Sequence, residues 1–151
     1  MEFGRRFAGK SIIVTGGASG IGRATALRLA AEGGRVLAVD LDEKGLATLQ
    51  QEQPGIEIRA GSVADEPTAR SIIAEWVEVA GQLDVLVNMA GIIRSSHAAS
   101  TGYEAFMSII AVNLGSTFLM CREALPHLET TGGNIVNAAS TSSHFGHPFL
   151  T

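Results

Sequence analysis

At 151 residues, 46% hydrophobic and with a formal net charge of −4, the chain has the length and apolar content for one domain around one core. It lacks the basic field that would hold nucleic acid or an anionic lipid surface. The one cysteine, Cys121, excludes an internal disulfide and a cysteine-only metal cluster and fits a reducing, cytoplasmic compartment.

The opening "MEFGRRFAGK" carries charge without the apolar run of a secretory signal. "SIIVTG" at 11–16 is the first predicted strand, apolar almost throughout, as in a parallel sheet covered on both faces. A helix follows in which Ile21, Ala24, Leu27 and Ala31 recur at helical spacing, and Gly33–Gly34 ends it. "RVLAVDL" at 35–41 is the second strand, after which Asp42 is placed to cap a helix that turns Leu46 and Leu49 to the sheet. "IEIRAGSV" at 56–63 is the third. Asp65 is placed to cap the next helix, with Pro67 in its first turn and Ile72, Ile73, Trp76 and Val77 as its apolar stripe. "DVLVNMAG" at 84–91 is the fourth strand. The stretch 105–121 has no charged residue, and its length and interspersed polar groups read as a buried helix, with no membrane span. Tyr103, Phe106, Ile110, Leu114, Thr117, Cys121 and Leu125 form its stripe and Pro126 is expected to stop it. "NIVNAAS" at 134–140 is the fifth strand. The alternation predicts a doubly wound α/β sheet, Rossmann-like, with helices on both faces and one domain over 1–151.

In such a fold a ligand is expected at the first strand-to-helix turn, here "TGGASGIG" at 15–22. Gly16, Gly20 and Gly22 allow a tight turn and let a pyrophosphate reach the amides at a helix N-terminus, although glycines can also serve close packing alone. Asp40, about twenty residues on, stands where a carboxylate accepts ribose hydroxyls, or where it would cap a turn. His144 and His147 in the last loop have no carboxylate or cysteine at ligand spacing, so no metal site is expected.

Four ordered motifs, Thr15-Gly16-x-x-x-Gly20-x-Gly22, "NMAG" at 88–91, "VNLGSTF" at 112–118 and "GGNIVNAAS" ending at Ser140, together resemble the short-chain dehydrogenase/reductase family. The resemblance implies a nicotinamide-dependent oxidoreductase that moves hydride between the cofactor and a small-molecule alcohol or carbonyl substrate, with a seven-stranded sheet and a homo-oligomeric state. It implies cofactor contacts from Gly16, Ser19, Gly20, Ile21, Gly22, Asp40, Leu41, Ser62, Val63, Asn88, Ala90 and Gly91. It assigns Asn113 to the proton relay and Ser140 to the substrate oxygen; each could equally be a backbone-satisfied polar residue or a cap. Asp40 would repel a 2′-phosphate and Ser19 is neutral where NADP-preferring relatives often carry a base, so NAD is expected over NADP. Ser62 replaces the family's usual aspartate and Met89 its second asparagine, which predicts a weaker adenosine pocket. Ile92, Ile93 and Arg94 are placed to line the substrate cleft without identifying the substrate.

The family's tyrosine, about a dozen residues after the serine, and the lysine four further on would fall just past Thr151. The chain alone is therefore expected to be inactive. Two alternatives to an enzyme follow: a nucleotide-binding module without chemistry, and a fragment whose exposed apolar fifth strand pairs with another chain.

Overall fold

The computed structural model describes residues 4–149. Five parallel strands form one sheet in the order β3-β2-β1-β4-β5: β1 Ser11–Thr15, β2 Arg35–Asp40, β3 Glu57–Ala60, β4 Val85–Asn88 and β5 Asn134–Asn137. Register runs from Ser11 opposite Arg35 on one side and Ile12 opposite Val85 on the other. Alternation of side chains along each strand divides the interior into two cores. On one face Ile13, Leu37, Val39 and Leu86 pack against α3 (Glu66–Ala80) and α5 (Ser116–Thr131). On the other, Ile12, Val14, Val36, Ala38 and Val87 meet α1 (Gly20–Ala31) and α2 (Glu43–Glu52). Each fully buried Ile, Leu or Val contributes about 1.5–3 kcal/mol of transfer free energy, so the central strands are the most heavily stabilised part of the molecule.

Two helix starts follow local chemistry. The Asp42 carboxylate accepts the N–H of Gly45 and that of Asp65 the N–H of Thr68, each satisfying an otherwise orphaned helix amide. Asp65 is held below the usual carboxylate range by hydrogen bonds from the Thr68 hydroxyl and amide.

Two expectations are corrected. Helix α1 faces the sheet not along Ile21, Ala24, Leu27 and Ala31 but along Gly22, Ala26 and Leu29; Leu27 packs partly buried beside them, and Ile21 is 75% exposed. The reason is steric at the head of the helix, where a Cβ on Gly22 would stand 2.1 Å from the Gly16 carbonyl oxygen; that contact turns Gly22 inward and, at helical spacing from it, Ala26 and Leu29. The helical segment 103–131 likewise does not stop at Pro126 and is not buried along its predicted stripe. It comprises α4 (Tyr103–Ile110), a π-helical turn (Ala111–Gly115) and α5, which carries Pro126 within it and ends at the left-handed Gly132. Proline costs a helix interior its own donor bond and a clash of its ring with the carbonyl four residues back, about 3 kcal/mol; Ala124 and Leu128, buried on either side of it, hold the helix to the sheet. Its buried row is Ser116, Met120, Ala124 and Leu128, whereas Tyr103, Phe106, Ile110, Leu114 and Leu125 are exposed. By length and composition this 29-residue segment is apolar enough to cross a bilayer; one of its faces is packed on α3 and β4. β5 lies at the sheet edge with Val136 half exposed.

At the amino ends of the strands, two carboxylates tie the segment before β1 to the fold. Glu32, its side chain wholly buried, receives Arg6 and Arg28, and its carbonyl accepts the N–H of Phe7. Hydrogen bonds from Arg6 and then Arg28 lower its pKa to about 2 against the opposing effect of burial. Because the folded value lies below the unfolded value of about 4.3, the stabilisation is complete above about pH 5 and is lost as pH falls toward 2. Glu32→Gln is expected to flatten the acid limb of the urea-unfolding midpoint between about pH 4 and 2. An acid limb as steep as that of the parent would contradict the assignment.

Candidate functional site

A cleft of about 390 Å³ opens at the carboxyl ends of the strands, where doubly wound sheets place their ligands. Its floor is the β1–α1 turn. Gly16 adopts a left-handed φ of +68°, and a Cβ there would come within 2.8 Å of the Met89 carbonyl. A Cβ on Gly22 would stand 2.1 Å from the Gly16 carbonyl oxygen. The two glycines thus let turn, helix and β4 converge. The Thr15 hydroxyl fixes the far wall by accepting the N–H groups of Met89 and Ala90, both at 3.1 Å. At the start of α1, Ser19 makes no side-chain cap, so the first-turn amides are left for an anion.

Asp40 ends β2 and lines the cleft. Its Oδ2 accepts the Ala18 N–H at 3.0 Å and its Oδ1 the Asp42 N–H at 3.1 Å, so the carboxylate both braces the glycine turn and keeps lone pairs for a further donor. Gly16, Ser19, Gly20, Ile21, Gly22, Asp40, Leu41, Ser62, Val63, Ala90 and Gly91 all border this one cleft. The structure therefore gathers eleven residues that are dispersed in sequence. Val39, Gly61, Ala64, Met89, Ile92, Val112 and Ala138 border it too. They were not among the predicted cofactor contacts, although most lie within a residue or two of one or of a strand end, which was the available signal.

Three predicted site residues stand apart. Asn88 does not line the cleft; it is 5% exposed beneath it, donating from Nδ2 to Asn137 Oδ1 at 2.8 Å and to Cys121 Sγ at 3.4 Å. It cross-links the ends of β4 and β5. Asn113 lies in the π-helical turn. Its Oδ1 accepts the Ile92 N–H at 2.8 Å and its Nδ2 donates to the Ile92 carbonyl at 2.9 Å. Both polar atoms are thus spent on one backbone unit at the cleft wall. Hydroxyls of Ser116 and Thr117 donate to the carbonyls of Val112 and Asn113, supplying partners where the wider turn disrupts the regular ladder. Ser140, exposed two residues past Ala138, caps a short helical turn, its Oγ accepting the Ser142 N–H at 3.2 Å. Among the described residues no group of three His, Cys, Asp or Glu side chains is arranged to hold a metal.

Comparison with known proteins agrees with this architecture. A family model described as short chain dehydrogenase matches residues 10–151. The chain is 39% identical to a D-threitol dehydrogenase of Mycolicibacterium smegmatis, over 95% of this chain and 57% of that protein. It is 35% identical to an L-fucose dehydrogenase of Oryctolagus cuniculus, over 93% of this chain and 50% of that protein. It is also 35% identical to a 2-dehydro-3-deoxy-L-rhamnonate dehydrogenase (NAD(+)) of a Sphingomonas species, over 97% and 59%. The chain spans about half the length of the curated relatives it matches.

Proposed function

This chain belongs to the short-chain dehydrogenase family, and on that premise we propose that it supplies the dinucleotide-binding part of an NAD-dependent oxidoreductase acting on a small alcohol or carbonyl compound. The observation that carries the reading is the single cleft joining the glycine turn and Asp40 at one end to Ala90, Ile92, Val112 and Ala138 at the other. A dinucleotide fits the residues present. A Cβ on Gly20 would meet nothing within 4 Å, so the space at the head of α1 is open, the α1 amides are uncapped, and a carboxylate stands at the ribose end. When bound, the nicotinamide cofactor supplies the hydride acceptor or donor.

The chain's own residues then divide the work. The amides opening α1 hold the pyrophosphate, and Asp40 accepts ribose hydroxyls while its bond to Ala18 keeps the turn in register. Ser62 and Val63 border the adenine, and Ile21 and Leu41 exclude water from that end. Ser140 Oγ holds the substrate oxygen. Asn113 serves the proton relay as a positioning residue, through the Ile92 backbone that it clasps on both sides. The protein is a cytoplasmic homo-oligomer in this reading; the exposed apolar row Tyr103, Phe106, Ile110 and Leu114 supports self-association.

Preference for NAD over NADP follows from charge: Asp40 is anionic, and among the described residues no cation borders the cleft. The name of the Sphingomonas relative, which specifies NAD(+), points the same way. Titrations followed by nicotinamide fluorescence test this. NADH is expected to bind about tenfold or more tightly than NADPH, and Asp40→Ala to lose most of that difference. Equal affinities in the parent protein would overturn the NAD assignment, and absence of binding to either would overturn the cofactor reading altogether.

A further inference from the structure

A second cavity, about 420 Å³ in volume, lies between the chain leaving Gly91 and the start of α4. It adjoins the end of the cleft remote from Asp40. Ile92 borders the cleft and Arg94 the second cavity; one turn apart on the opposite wall, Val112 borders the cleft and Ile109 the cavity. Asn113 clasps Ile92 from both sides, so the partition between the two spaces is held by fixed hydrogen bonds.

Charge distinguishes this cavity. Of the chain's eleven Lys and Arg residues, Arg6, Lys10, Arg23, Arg28, Arg35, Arg59, Arg70 and Arg122 are engaged with carboxylates. Among the described residues Arg94 makes no such pair, and of the remaining three it alone borders either cavity. Every other residue lining its cavity is uncharged, Ser95, Ser96 and Ser100 among them; the Ser96 hydroxyl is paired with that of Thr101 and the Ser100 hydroxyl donates to the His97 carbonyl. Gly102, which precedes α4, offers that helix no side-chain cap, leaving first-turn amides as further donors. In an acidic chain a guanidinium that pairs with no carboxylate among the described residues and borders an otherwise uncharged cavity is matched by a ligand oxyanion, which it can bind in a bidentate manner.

We propose that Arg94 is a specificity-determining residue, receiving an anionic group of the substrate, a carboxylate or a phosphate, in this second cavity while the reacting carbon lies in the adjoining cleft. The proposal rests on the nicotinamide reading above and deepens it. It narrows the substrate class from alcohols in general to hydroxy or oxo acids and phosphorylated hydroxy compounds.

The test is calorimetric and independent of turnover. NADH is first titrated into the protein; acetoacetate and methyl acetoacetate, then dihydroxyacetone phosphate and dihydroxyacetone, are titrated into the NADH-loaded protein and into its Arg94→Gln variant. At least one charged probe is expected to bind about tenfold more tightly than its neutral partner, and Arg94→Gln to erase that difference. The variant's NADH affinity should remain within about twofold, because Arg94 lies outside the cofactor cleft. The charged probe that shows the preference identifies carboxylate or phosphate as the group recognised. Charged and neutral probes of equal affinity in both pairs, or a preference that survives Arg94→Gln, would overturn the proposal alone. Failure of the parent protein to bind NADH would overturn the nicotinamide reading and this proposal with it.

Discussion

Gly22→Val is expected to abolish dinucleotide binding and to lower the stability of the fold by about 3 kcal/mol. A Cβ at position 22 would lie 2.1 Å from the Gly16 carbonyl oxygen and 2.7 Å from its carbonyl carbon. Both are backbone atoms, so no side-chain rotation relieves the overlap; helix α1 must lift from β1 or the turn must deform. Either movement displaces the amides at the head of the helix and the floor of the cleft together. The comparison is Gly55→Ala, where nothing lies within 4 Å of the added carbon and the urea midpoint should scarcely move. Parent-like NADH affinity in the valine variant would show that the turn accommodates a side chain and that close helix approach is not what shapes the site.

Asp84→Ala should cost about 3 kcal/mol in urea unfolding and leave NADH affinity intact. The carboxylate, 3% exposed as a residue, accepts from Lys10 Nζ at 2.8 Å, the Ser11 N–H at 2.8 Å and Gln82 Nε2 at 2.6 Å. Burial works to raise its pKa, and the hydrogen bonds from Lys10, Ser11 and Gln82 outweigh that and hold it below the usual carboxylate range. Its stabilisation is therefore present at neutral pH and is lost as acid protonates it. Truncation strands the buried Ser11 amide and loosens β1 from β4 at the end of the sheet opposite the cleft. A parent-like midpoint, or a loss of cofactor affinity in the folded variant, would contradict this division between stability and site.

The two effects separate because the sheet separates them, and that same sheet was the most legible part of the sequence. Runs such as "SIIVT" and "RVLAVD" are apolar on both faces, which is what two-sided burial requires, and the order β3-β2-β1-β4-β5 is that of a doubly wound sheet. The glycine spacing and Asp40 located the cleft, since both lie at strand ends. The buried face of α1 was not legible. Counting apolar residues favours Ile21 and Ala24, whereas proximity to β1 selects Gly22 and Ala26, and proximity is a property of the tertiary structure. Nor does spacing reveal that α5 continues through Pro126, because anchorage on either side offsets the lost backbone bond and the ring's clash with the preceding turn. For Asn113 the residue was identifiable, but its partner was not: Ile92 lies 21 residues away in sequence, and only the fold brings the two together.

The Arg6–Glu32 pair, with Phe7 tucked against the same core, has a practical corollary. Residues 6–10 enter the molecule at the amino ends of the strands, and five residues of β1, about 16 Å of extended chain, separate them from the glycine turn. A linker joined ahead of Arg6 to a sensor chip or resin would therefore leave the cleft turned toward solution. Surface-immobilised protein should keep the ligand affinity of the free molecule.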